Sequence, residues 1–161
     1  MAELKLSYGT AGQEIVITLE NLASAAVREG DFVSNALDLF VDVLVMACIT
    51  PVSGTPTGDK AAFIYAYGTV DNVIYSDGAG GVDEDFTLTD PTNMKLLGVV
   101  STPTSAPTTY WGGPWSLASV FGGAVPAQWG IAVKNSTGLA FSADPSKTWV
   151  KYQGTKLQTA G

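Results

Sequence analysis

Residues 37–50 constrain the fold more than any other part of this chain. Every second residue there is apolar: Leu37, Leu39, Val41, Val43, Val45, Ala47 and Ile49. A period of two belongs to a strand, whereas a helix repeats every 3.6 residues. The opposite row reads Asp38, Phe40, Asp42, Leu44, Met46, Cys48 and Thr50, polar at its start and apolar later. A strand that is apolar on both faces must be covered on both sides. The second face, around Leu44 and Met46, is therefore expected to meet another layer or another subunit. The β-branched content and the stop at Thr50-Pro51 favour a strand over a helix.

The same period recurs between clusters of Gly, Pro, Ser and Thr. In residues 14–20, Ile15, Ile17 and Leu19 alternate with Glu14, Val16, Thr18 and Glu20, which is the pattern of a half-buried strand. Further strands are expected at 61–69, 72–75, 85–88, 94–102, 129–134 and 148–153, with shorter ones at 4–8 and 139–142. Turn-forming clusters fall at 53–58, 76–82, 103–109, 122–127 and 135–138, and residues 116–121 suit a helical turn. Asn135-Ser136-Thr137 spells a glycosylation acceptor, but with Gly138 behind it reads more simply as a hairpin turn. About eight strands with this spacing, and no helical periodicity, give an all-β chain: a single-domain β-sandwich, most simply a jelly roll. The domain takes in residues 1–161, with residues 1–12 as an extended N-terminal arm. A chain of 161 residues can bury about two-thirds of its unfolded surface in one core.

Composition then narrows the chemistry. The chain has no histidine, one cysteine and one arginine, and only 14% of its residues are charged, against about 25% in ordinary soluble domains. So little charge implies surface hidden inside the chain or against other subunits. Without histidine there is no activated serine and no transition-metal set. No catalytic residue and no cofactor is expected. Cys48 has no disulfide partner and lies in an apolar run, so it is expected to be a buried, inert thiol. The net charge of −7, with eight scattered basic residues, argues against nucleic acid as a partner. Residues 37–49, the longest apolar stretch, are interrupted by Asp38 and Asp42 and are too short to span a bilayer. The opening Met-Ala-Glu-Leu-Lys-Leu lacks the apolar core of a signal peptide, so the expectation is a soluble product made in the cytoplasm.

Two segments carry candidate sites. Asp77, Asp83 and Asp85 flank a Gly-rich loop, where clustered carboxylates can hold Ca²⁺. The spacing departs from the EF-hand pattern, and solvated turn residues account for it more simply. A glycosidase pair would also need two carboxyls, roughly 5–10 Å apart across a cleft. The second segment packs Tyr110, Trp111 and Trp115 into six residues around Gly112-Gly113-Pro114. Three readings stay open: a plug that caps the sandwich, a protein–protein interface, or a sugar-stacking platform. With Leu44 and Met46, these aromatics are the candidate interface residues, since rigid rings anchor interfaces.

In style the chain resembles the tailed-bacteriophage capsid decoration, or cement, proteins. The resemblance rests on the short N-terminal strand, the low charge, the loops of Ser, Thr, Pro and Gly, and three segments. These segments are Lys60-Ala61-Ala62-Phe63-Ile64-Tyr65-Ala66-Tyr67-Gly68-Thr69, Leu96-Leu97-Gly98-Val99-Val100, and the stretch from Val125-Pro126 through Trp129 to Asn135. It covers most of the chain but contains no catalytic or ligand motif. It implies a jelly-roll subunit, dimeric or trimeric, made in the host cytoplasm. Such a subunit sits on the capsid surface of the virion and staples neighbouring copies of the major capsid protein. The alternative is a carbohydrate- or receptor-binding β-sandwich of the tail-fibre or lectin type.

Overall fold

The computed structural model describes residues 3–159. Among the described residues eleven strands form two antiparallel sheets, and helix is confined to short turns. The first sheet holds β1 (Leu4–Tyr8), β11 (Trp149–Thr159), β5 (Asp42–Ile49) and β9 (Tyr110–Ser116) in that order, with β2 (Gln13–Glu14) also on β11. The second holds β7 (Glu84–Phe86), β3 (Val27–Glu29), β10 (Gln128–Ser136), β6 (Ala61–Thr69) and β8 (Lys95–Ser101), with β4 (Val33–Ser34) on β10.

The pairings are nested. β6 pairs with β8, β5 with β9, β3 with β10, and β1 with β11. The chain thus runs as one long antiparallel ribbon folded over on itself. Of its eight main strands, β1, β5, β9 and β11 form one sheet and β3, β6, β8 and β10 the other, which is the jelly-roll arrangement. The all-β sandwich read from the period-two pattern is the fold.

The core lies between the sheets. Val43, Val45, Ala47 and Ile49 of β5, with Val150 and Tyr152 of β11, face Ala62, Ile64 and Ala66 of β6 and Trp129, Ile131 and Val133 of β10. The Trp129 and Tyr152 rings meet edge to face, 5.3 Å between centroids. Alternation along each strand sends the intervening residues outward.

Several segments depart from the expectation. The long run does not form a strand from residue 37. Leu37 is 95% exposed, Leu39 is exposed with φ of +51°, and the strand begins at Asp42. The cause is Asn35, a buried side chain that accepts from the Phe40 N–H at 2.7 Å and donates to the Phe40 carbonyl at 3.0 Å. This pins a turn and buries Phe40 in place of its apolar neighbours. Residues 15–20 keep the expected alternation, with Ile15 and Leu19 buried, but form no continuous ladder. Ile15 donates to Val150 of the first sheet, and Val16 accepts from Asp31 near the second, so the segment crosses between sheets. Residues 72–75 are a bend, because the Asp71 carboxylate accepts from the Val73 and Ile74 N–H groups. Residues 139–142 contribute only the bridge between Phe141 and Pro51. Asn135 is fully buried and donates to the Leu22 and Leu139 carbonyls, so in the folded chain it is a structural residue, closed to glycosylation.

Residues 70–94, between β6 and β8, form an excursion that folds over the outer face of the second sheet and supplies its edge strand β7. Tyr75, Ala79 and Met94 from this excursion pack with Val27, Tyr67 and Ala132 of the sheet as a second small core. Tyr67 meets Tyr75 edge to face at 5.6 Å, and its hydroxyl donates to the Gly30 carbonyl. Gly130 lies beneath the Tyr67 ring, where a Cβ would overlap it. The excursion thus covers the part of that outer face around Val27, Tyr67 and Ala132, while Leu96 and Val99 of β8 stay partly exposed.

Candidate functional site

The aromatic segment is a strand rather than a loop. As β9 it pairs with β5, with a register shift between Val45 and Ala47. Pairing and alternation divide the three rings between two faces. Tyr110 lies opposite Ile49 and Trp115 opposite Val45, and both pack against the core. The Trp115 indole presses on Gly98 and Gly112, positions where any Cβ would collide with it. Tyr110 exchanges hydrogen bonds with Thr104 through its hydroxyl. Trp111 lies opposite Cys48 and points outward, 65% exposed. The interface candidates therefore separate: Trp115 and Tyr110 hold the core together, and Trp111 alone of the three offers a surface ring.

Trp111 belongs to a larger apolar surface, the outer face of the first sheet. Leu44 is half-buried and Met46 is 37% exposed on this face. With Pro114, Trp149 and the stem of Lys151 they line an open groove of about 330 Å³. The Lys151 ammonium lies 3.2 Å from Glu14 and 4.8 Å from the centre of the Trp149 ring, so its charge is matched within the face. Asp42, at one end, accepts from the Ser116 hydroxyl at 2.7 Å and the Ala118 N–H at 2.9 Å. Beyond the groove the face continues into the ribbon of β1 and the end of β11. There Leu6 sits opposite Leu157, flanked by Leu4 and Tyr8, and all four are more than half exposed. Lys5, Ser7 and Lys156 occupy the other side of that ribbon.

The acidic loop does not assemble a cation site. Asp83 accepts from Arg28 Nε at 2.7 Å and from the Thr18 N–H at 2.9 Å, and Asp85 accepts from Arg28 Nη1 at 3.0 Å. Burial works against the Asp83 carboxylate, but the bonds from Arg28 and Thr18 outweigh it and hold its pKa below the usual range. Asp77 is turned away toward Thr92 and Asn93, whose hydroxyl, amide and N–H groups overcome its burial and also lower its pKa. Among the described residues no group of three or more Asp, Glu, Cys or His side chains could hold a metal ion. The calcium candidate Asp77, Asp83 and Asp85 is thus corrected: Asp83 and Asp85 tie to Arg28 of β3, and Asp77 braces the excursion internally through Thr92 and Asn93. Asp83 and Asp85 are also committed to one arginine rather than facing each other across a cleft.

Sequence reasoning missed Glu29. It sits on β3, fully buried, with Oε1 accepting from the Gly80 N–H at 2.9 Å and Oε2 without a donor. Burial raises its pKa, the Gly80 N–H opposes this, and the neighbouring Glu84 carboxyl raises it further. No periodicity marks it, because its burial comes from the excursion rather than from the strand pattern. A wider cleft of about 610 Å³ opens beside β3 and β7, lined by Val27, Phe86, Leu88 and Lys134, with Arg28 already engaged by its aspartates. Cys48 is buried and its thiol contacts the Lys147 carbonyl; burial pushes its pKa up, away from the thiolate a nucleophile needs. No helix among the described residues is long and apolar enough to cross a membrane. Comparisons with protein-family models, curated proteins and solved structures give no match for the chain.

Proposed function

We propose that this chain is a structural subunit that decorates a protein shell, of the phage capsid-decoration kind its sequence resembles. It works by burying apolar surface against protein, without catalysis or cofactor. Its partner on the shell is the major capsid protein, and its place is the capsid surface of the virion. One observation carries this reading. The chain packs its own excursion on the outer face of the second sheet around Tyr67 and leaves the outer face of the first sheet open and largely apolar. Open apolar surface of this extent marks an interaction site. The role is mechanical: a subunit that binds the assembled shell and not its separated parts stabilises assembly by mass action.

A carbohydrate platform would set an exposed ring among polar side chains that bond to sugar hydroxyls. Around Trp111 the face instead holds Cys48 and Met46 on one side and, on the other, Thr50 and Thr109, whose hydroxyls are already bonded to each other. The test is co-sedimentation with empty shells built from the major capsid protein of the encoding phage. The chain is expected to pellet with them. Failure to pellet, together with glycan-array binding that Trp111→Ala abolishes, would replace this reading with a lectin-like one.

A further inference from the structure

We infer that the protein covering the open face of the first sheet is a second copy of this chain, packed face to face about a twofold axis. This rests on the reading that the face is buried against protein: away from the shell a second copy covers it, and on the shell the major capsid protein takes that copy's place.

Two observations select a second copy: charge and area. The chain carries −7, so two copies repel wherever their acidic surfaces meet. Residues 70–94, over the second sheet, hold Asp71, Asp77, Asp83, Glu84, Asp85 and Asp90 and no Lys or Arg. The open face lies on the opposite sheet and carries little charge: Lys151 is matched by Glu14, which leaves the Asp42 carboxylate, hydrogen-bonded to Ser116 and Ala118, at one end. It is the broad surface on which two acidic copies meet with the least opposition of like charges.

The area fits as well. Strands about 4.8 Å apart, rising about 3.3 Å per residue, give the face of β1, β11, β5 and β9 a projected area on the order of 500 Å². A surface studded with side chains exposes more than its projection. That approaches the roughly 800 Å² per partner of a standard stable interface. Two such faces pack about 10 Å apart with strands nearly aligned, as sheets do inside a sandwich. A twofold arrangement is self-complementary, so Met46 and Trp111 of each copy are buried by the other.

Sedimentation velocity on the chain alone, at micromolar concentrations and without shells, tests this. The wild type is expected to run as a dimer of the 16.7 kDa chain. Met46→Asp is expected to weaken the dimer at least about tenfold, since it places a charge in the contact. Trp111→Ala, at a more exposed position that cannot disturb the core, is the second variant if the first fails to fold. Val73→Asp, in the excursion, is expected to leave the dimer unchanged. A wild-type monomer, a trimer, or a dimer indifferent to both face variants would overturn the inference. A monomer that still pellets with shells, and loses pelleting in Met46→Asp, would overturn it too while leaving the shell-binding reading intact. A monomer that ignores shells would remove both.

Discussion

Glu29 shows what one residue can do to the pH dependence of this fold. Its carboxyl is buried, bonded through one oxygen and set beside Glu84, so its pKa in the folded chain lies above the ordinary value near 4.5. Asp31 follows it in the chain, and the one cation nearby, Arg28, is spent on Asp83 and Asp85. A raised acid pKa means that the folded state holds the proton more tightly than the unfolded one. Its stabilising contribution is fully present below about 4.5 and is lost as pH rises through the folded value. Glu29→Gln keeps the acceptor for Gly80 and cannot ionise. It is expected to melt higher than wild type at pH 8 and to lose most of that advantage at pH 4.5; an advantage equal at both would contradict the argument. Asp83 has the opposite sign, with a lowered pKa and stability present above the ordinary carboxylate value that is lost on acidification. Arg28→Ala leaves that part-buried carboxylate without its cation. It is expected to cost about 1–3 kcal/mol at pH 7, and progressively less on acidification as Asp83 takes up its proton. Urea titration at pH 7 and at a series of lower pH values measures both.

At the scale of elements, residues 37–50 give the sharpest contrast. Val43 is fully buried between the sheets, so Val43→Asp places an unpaired charge in the core and is expected to abolish folding. Leu37 has the same apolar character and the same parity, yet Leu37→Asp is expected to change stability by less than about 0.5 kcal/mol. Thermal melts of the two variants check this, and a large loss in Leu37→Asp would mean the turn at Asn35 is misplaced. This contrast also marks what the sequence made legible. Period-two alternation identified β5, β6, β8, β10 and β11, because their inner faces bury continuous apolar rows. It overran the start of β5, because one asparagine side chain can stop a ladder without disturbing the hydrophobic pattern. It missed β9, whose Gly112-Gly113-Pro114 has the propensity of a loop. That strand exists because Trp115 docks on Gly98 across the sandwich, a contact written in neither segment alone. Leu44 and Met46 were legible as a second apolar face. The split of Tyr110, Trp111 and Trp115 was not, since it depends on the register with β5. Gly98→Ala tests the docking: it should cost about 1–3 kcal/mol by overpacking and change the near-ultraviolet signal of Trp115.

At the scale of the molecule, the two sheets are treated unequally. Both present apolar outer surface, but only the second is partly covered by the chain's own excursion, which carries most of the local acid beside exposed Val70, Val73 and Ile74. The result is a body with a strongly acidic side and a side of little net charge. This polarity predicts how self-association responds to salt. Between two copies that meet by their faces of little net charge, the remaining long-range force is repulsion between net negative charges. Salt screens it, with a Debye length of about 10 Å at 0.1 M and about 3 Å at 1 M, and leaves apolar burial intact. The dimer dissociation constant is therefore expected to fall as sodium chloride rises from about 0.05 to about 0.5 M, by a few-fold rather than by decades, because the acidic surfaces lie on the far sides of the pair. An interface held by ion pairs would respond in the opposite sense, since screening weakens attraction between unlike charges. Sedimentation equilibrium across that range reads the sign directly. A constant that rises with salt would show that charged groups, and not Met46, Trp111 and their apolar neighbours, carry the contact.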